Sequence, residues 1–279
     1  MKKLVSALAT AVLMANTSFA DTTNTATSAT PEATVATTTA TPVLEATNDE
    51  NEAVYLTSTL KLVPTIQHTN NPDLQYTVKT NYPQITGGTL TPAAINFNQV
   101  MADMVKQETD RFTKFVKEDA VHMKTLPKEM QHNTLNIDYD IDVINSSKQP
   151  IISVRLSVEG MQGGRAHPYH TYRILNFSLS QNKVLSLNDI FKPSARYLNV
   201  FAKYTSDSLN KTLHDKFMIA NGTAPDAKNY QTWNIEPDGI LITFDEYQVA
   251  PYSDGAQEVE IPFSALKGMI SPKAPVVKS

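Results

Sequence analysis

The amino-acid sequence predicts an α+β fold in which antiparallel sheets carry two long amphipathic helices packed on them. Three observations predict it. Residues 134–144, TLNIDYDIDVI, alternate apolar and polar side chains, the period of a strand with one covered face. After Thr91-Pro92, apolar residues recur at three- and four-residue spacing, the period of a helix with one apolar stripe. Strand-type and helix-type stretches are grouped along the chain and do not follow a strict strand–helix–strand repeat, which favours α+β over a parallel α/β sheet.

The chain begins with Lys2 and Lys3, an apolar run from Leu4 to Met14, and Ser18-Phe19-Ala20 as a small-residue cleavage site. This reads as a secretory signal peptide over residues 1–20, cleaved after Ala20, so export to the periplasm or medium is expected. The apolar run is too short to span a bilayer, and the mature chain is expected to contain no membrane span. Residues 21–52 are rich in Thr and Ala and poor in large apolar side chains, and they read as a disordered linker that cannot bury enough surface to offset its ordering entropy.

With 279 residues and no cysteine, an exported chain of this kind must rely on its core without disulfides. The formal charge of the whole chain is -4, and beyond residue 50 the balance is 22 basic against 23 acidic residues. No nucleic-acid surface is expected from a balance without basic excess.

From about Val54, β-rich runs occupy Tyr55–Pro64 and Leu74–Ile85, with Gly87-Gly88 as a break. The helix after Thr91 places Phe97, Val100, Met101, Met104, Val105, Phe112, Phe115 and Val116 on one stripe through about Asp119. In the next strand Leu135, Ile137, Tyr139, Ile141 and Val143 point inward and Asp138, Asp140 and Asp142 outward. After a turn at 145–150, the partner strand has Ile152, Val154, Leu156 and Val158 inward and Arg155 outward. A third strand spans Tyr169–Leu179, and a second helix is predicted from Ser194 to Phe217, with Phe217 on its apolar face. Residues 221–229 read as loop. Gly239–Phe263 reads as strand, aromatic corner and strand, with Pro251 withholding a donor and Gly255 allowing a positive φ.

Three sets of residues could carry chemistry. His167 and His170 offer two imidazoles at a loop–strand junction, but no cysteine and no HExxH helix accompany them, and neither a metal nor any cofactor is expected. Ser208–Lys211 and Ser264–Lys267 match a Ser-x-x-Lys pattern without its companion motifs and are chance matches. The acidic stripe Asp138, Asp140 and Asp142 reads either as a solvent-facing strand with Arg155 across from one carboxylate, or as an electrostatic docking surface for a cationic partner. No catalytic residue is assigned.

The motifs TNYPQITGG, GGRAHPYHTYRILNFSL, VLSLNDIF and DEYQVAPYSDGAQEVEIPFSALKGMI, in that order, make residues 54–270 resemble the RsiV/PdaC-type extracellular domain, a pair of domains of unknown function. The resemblance implies an N-terminal PdaC-type part over residues 53–165, a C-terminal RsiV-type part over 166–272, and a tail over 273–279. It also implies a stand-alone, non-catalytic envelope domain that binds a lysozyme-like protein or peptidoglycan. The contact patch expected is Arg165, His167 and Tyr169 beside Pro251, Tyr252 and Asp254. The competing reading is a peptidoglycan deacetylase or hydrolase that uses His167 or His170.

Overall fold

The computed structural model describes residues 53–144 and 150–276. The predicted signal peptide, the linker up to residue 52, the turn at 145–149 and the last three residues of the tail lie outside the described residues.

Two sheets and a long helix build the molecule. The larger sheet has seven strands in chain order, β1 (Val54–Tyr55), β2 (Lys61–Asn71), β3 (Tyr76–Thr86), β4 (Asn133–Ile144), β5 (Ile151–Met161), β6 (Tyr169–Ser178) and β7 (Lys183–Val184). All neighbours are antiparallel except β3 and β4, which run parallel from Tyr76↔Asn133 to Thr80↔Ile137. A parallel pair needs a crossover, and α1 (Pro92–Met123) supplies it. Beyond Thr80 the two strands part, with Asn81 Nδ2 donating to Asp138 Oδ1 at 2.9 Å across the fork.

The helix α1 begins where the sequence predicts. Thr91 is extended and its hydroxyl accepts from Ala94 N at 3.2 Å, while Pro92 occupies a position whose missing donor costs nothing. Phe97, Met101, Val105, Phe112 and Val116 are buried against one face of the large sheet, where they meet Val78, Leu135, Ile152, Val154, Leu156 and Phe177. This first core draws its buried residues from Leu60 to Phe177.

The smaller sheet has three antiparallel strands, β8 (Trp233–Ile235), β9 (Gly239–Phe244) and β10 (Gln257–Pro262), in the order β10-β9-β8. Together with α2 (Leu187–Ile190), α3 (Tyr197–Leu209) and α4 (Lys216–Gly222) it encloses a second core that includes Phe201, Tyr230, Ile240, Ile242, Phe244 and Ile261. Ile151 of the large sheet belongs to this core, so β5 buries apolar residues on both its faces.

Between the sheets runs a buried polar seam. Asn176 Nδ2 donates to Trp233 O at 3.0 Å, Ile235 N donates to Asn176 Oδ1 at 2.9 Å, and Asn234 Nδ2 donates to Ser153 Oγ at 3.0 Å and Val154 O at 3.1 Å. Ser153, two residues from Arg155 and so on the face of β5 predicted to point outward, is therefore buried, because β8 covers it.

The second helix differs from its predicted extent. It ends at Leu209, where the Asn210 carboxamide bonds back to Ser206 O at 2.8 Å. Asp215 then caps a new helix by accepting from Phe217 N and Met218 N at 3.0 and 2.9 Å, so α4 starts inside the span predicted for a single helix. Phe217 lies 78% exposed instead of on an apolar face. Residues 221–229 contain the end of α4 and the start of a 3₁₀ turn at Ala227–Tyr230 as well as loop.

Candidate functional site

The loop that precedes β6 and the corner between β9 and β10 meet. The His167 ring lies 4.0 Å from that of Tyr252 at an interplanar angle of 31°, and the Tyr252 hydroxyl donates to Pro168 O at 3.1 Å. Each loop is shaped by its own backbone bonds. Arg165 N donates to Gln162 O at 3.0 Å. Pro251 O accepts from Asp254 N at 3.0 Å and closes a 3₁₀ turn over Tyr252–Asp254, and Gly255 ends it at φ 67°. The positive φ expected of Gly255 is thus present. Arg165, His167, Pro251 and Asp254 are exposed and Tyr252 is half-buried.

Tyr169 takes a different direction. It stands opposite Gly160 on β5, and a Cβ on Gly160 would lie 2.2 Å from the Tyr169 ring, so the ring crosses the strand only because that residue is glycine. Burial, then the nearby Glu108 carboxylate, push the Tyr169 hydroxyl above its ordinary pKa. Glu108 lies on α1 within the apolar stripe, almost wholly buried, and is met by Arg173 Nε at 2.6 Å and Arg111 Nη1 at 2.8 Å. The three- and four-residue spacing from Met101 and Val105 through Glu108 to Phe112 puts this carboxylate on the buried face and was the available signal, while its partner Arg173 lies far along the chain on β6.

The acidic stripe is engaged by other groups. Asp140 stands opposite Arg155 in the β4–β5 register, and its Oδ2 accepts from Arg155 Nη2 at 2.8 Å. Arg155 Nη1 also reaches Glu258 on β10 and Thr243 Oγ1 on β9, the latter at 2.9 Å, and its guanidinium lies 5.2 Å from the centre of the Tyr172 ring. Burial works against the charge on Arg155, but Asp140 and Glu258 outweigh it and hold its pKa above the usual value. Asp138 accepts from Asn81. Asp140 is therefore tied through Arg155 to the smaller sheet and Asp138 to β3, and both are half-buried.

Burial, more than the surrounding charges of Arg155, Glu258, Asp245 and Asp140, pushes the Tyr172 hydroxyl above its ordinary pKa. Asp245 follows the last residue of β9 and is half-buried, with Oδ1 enclosed and lacking a hydrogen-bond partner among the described residues. His170 and Glu159 approach only to 3.9 Å.

Residues 188–264 match a family model described as a protein of unknown function, DUF3298. Over that span the chain is similar to the DUF3298 family. That span holds α3, α4 and the small sheet with its aromatic corner, whereas the His167 loop lies before it. The chain is also 30% identical over 183 residues to the peptidoglycan-N-acetylmuramic acid deacetylase PdaC of Bacillus subtilis, a match that covers 63% of this chain and 38% of PdaC. It is 22% identical over 181 residues to the anti-sigma-V factor RsiV of the same organism, covering 62% of this chain and 59% of RsiV. The chain thus spans less than two thirds of either relative. The fold matches the crystal structure of a DUF3298 family member from Bacteroides fragilis with a TM-score of 0.58, over 78% of this chain and 96% of that one at 15% identity. The resemblance read from the motifs holds, as does the α+β class. Among the described residues, no helix is long and apolar enough to cross a membrane.

Proposed function

We propose that this chain is an exported, non-catalytic binding module of the cell envelope, released by cleavage after Ala20, and that its partner is a lysozyme-like cell-wall hydrolase. The observation that carries the proposal is the junction of His167, Pro168 and Tyr252, which joins the loop before the DUF3298-like span to the corner within it. A tyrosine fixed by its hydroxyl and stacked on one face loses little freedom when a partner covers it, which is the condition for a binding hot spot. The stripe of Asp138, Asp140 and Asp142 adds negative potential suited to a basic partner. Similarity to PdaC and RsiV supports an envelope setting for the module.

Calorimetry of the purified protein with a c-type lysozyme at low and high salt tests the proposal. Binding that weakens about tenfold as salt rises, and that a Tyr252→Ala substitution weakens about thirtyfold with little change in melting temperature, is the expected result. No binding to the hydrolase, with retention on peptidoglycan instead, would give the partner as the wall itself. Wall digestion by the wild type that His167→Ala abolishes would make it an enzyme.

A further inference from the structure

Tyr247 has a backbone conformation that a tyrosine rarely adopts, φ 65°, and its side chain is 59% exposed. The strain is held in place from both sides. The Asp245 carbonyl accepts from Gln248 N at 3.1 Å. The Gln248 carboxamide donates to Gly222 O at 3.2 Å and to Asn229 O at 2.9 Å, and Val249 and Ala250 are buried. A strained residue that the surroundings over-determine, with its ring presented outward, is a feature to be explained by what the ring does.

The ring continues an aromatic series. Its centre lies 5.8 Å from that of Tyr252 at 32°, and Tyr252 lies 4.0 Å from His167. Tyr252 is fixed by its bond to Pro168 O, so the middle ring of this shelf of three is held in place before any partner arrives. Carboxylates adjoin it: Glu246 directly precedes Tyr247 in the chain, and Glu159 stands opposite His170 in the β5–β6 register. Asp254 is exposed in the same corner.

We infer that the Tyr247–Tyr252–His167 shelf receives an arginine or lysine side chain of a basic protein, with the cation over the exposed Tyr247 ring and Glu246 beside it. This rests on the proposed hydrolase-binding function and names the chemistry by which that patch would recognise its partner. Electron-rich ring faces with adjoining carboxylates favour a cation, and aromatic–cation pairs are common among the residues that dominate interfaces. The same negative charge disfavours an anionic wall polymer.

The test compares Tyr247→Gly, Tyr247→Leu and Tyr247→Phe. Glycine accepts the positive φ without strain, so Tyr247→Gly should melt at or above the wild-type temperature while affinity for a c-type lysozyme falls about tenfold. Leucine keeps apolar area but no ring face and should lose about as much affinity, whereas phenylalanine should stay within about threefold. Aromatic NMR of Tyr247 during titration with a tetra-arginine amide, and separately with peptidoglycan fragments, reads the shelf without the hydrolase. Lysozyme binding that ignores Tyr247→Gly overturns this inference and leaves the module intact. If lysozyme does not bind but the arginine peptide shifts the Tyr247 ring, the hydrolase reading falls and the cation shelf stands. Shifts with wall fragments alone, or with neither probe, overturn the shelf as a cation site.

Discussion

Asp245 shows what one enclosed oxygen does to an acid. Burial pushes its carboxyl above the ordinary aspartate value, against the opposing pull of Arg173 and of hydrogen bonds from Tyr172 N and the Thr171 hydroxyl. The native state therefore holds the proton more tightly than the unfolded chain. The stabilising contribution of this group is complete below the unfolded pKa, about 3.9, and is lost as pH rises through the raised folded value. Asp245→Asn cannot ionise, so its melting temperature should gain on that of the wild type as pH rises from about 4 to 7. A difference that stays constant over that range would mean that the carboxyl titrates normally in the fold. At this scale the sequence was only partly legible. Pro251, Tyr252 and His167 stood out by type and position, but the positive φ of Tyr247 is held by Gln248 reaching Gly222 and Asn229, and Asp245 is met by Thr171, Tyr172 and Arg173 of β6, which no local pattern shows.

The elements were most legible where one face is buried and the other wet. The α1 stripe and the β5 row Ile152, Val154, Leu156 and Val158 give clean periods because a single core lies on that side. The start of α1 was equally plain, since Thr91-Pro92 carries both a side-chain acceptor and a preset φ. Thr91→Ala should cost about 1 kcal/mol by removing the bond to Ala94 N, and Thr91→Ser should restore it, both measurable by urea denaturation followed by circular dichroism. Periodicity failed beyond Leu209, where Leu213 and Phe217 keep the helical spacing although the backbone has turned. Asn210 and Asp215 were the signals, and each acts by bonding to the backbone locally. The parallel pairing of β3 with β4 was also hidden, because strand direction is set by the path of α1 and leaves no mark on either strand.

The whole molecule is joined across its two sheets by polar contacts as well as by apolar ones. Arg155 is central to this, taking Asp140 from its own sheet and Glu258 and Thr243 from the other. Arg155→Met would leave Asp140 and Glu258 without their shared cation. Because these carboxylates are 49% and 44% exposed, solvent would screen much of the repulsion, and the expected loss is about 2 kcal/mol by urea denaturation. A loss below about 0.5 kcal/mol would show that the seam of Ser153, Asn176 and Asn234 suffices to hold the sheets.

The division of the interior into two cores has a consequence for the order in which the chain takes shape. The buried residues of the first core end at Phe177, so a chain emerging amino terminus first holds every one of them before any strand of the smaller sheet has been made. At that stage Ile151 and Ser153, on the other face of β5, still lack their cover, because Trp233, Asn234 and Ile235 have not appeared. The half-made molecule is therefore a folded sheet with one sticky side. The interval until β8 arrives is when this chain most needs protection from its own kind.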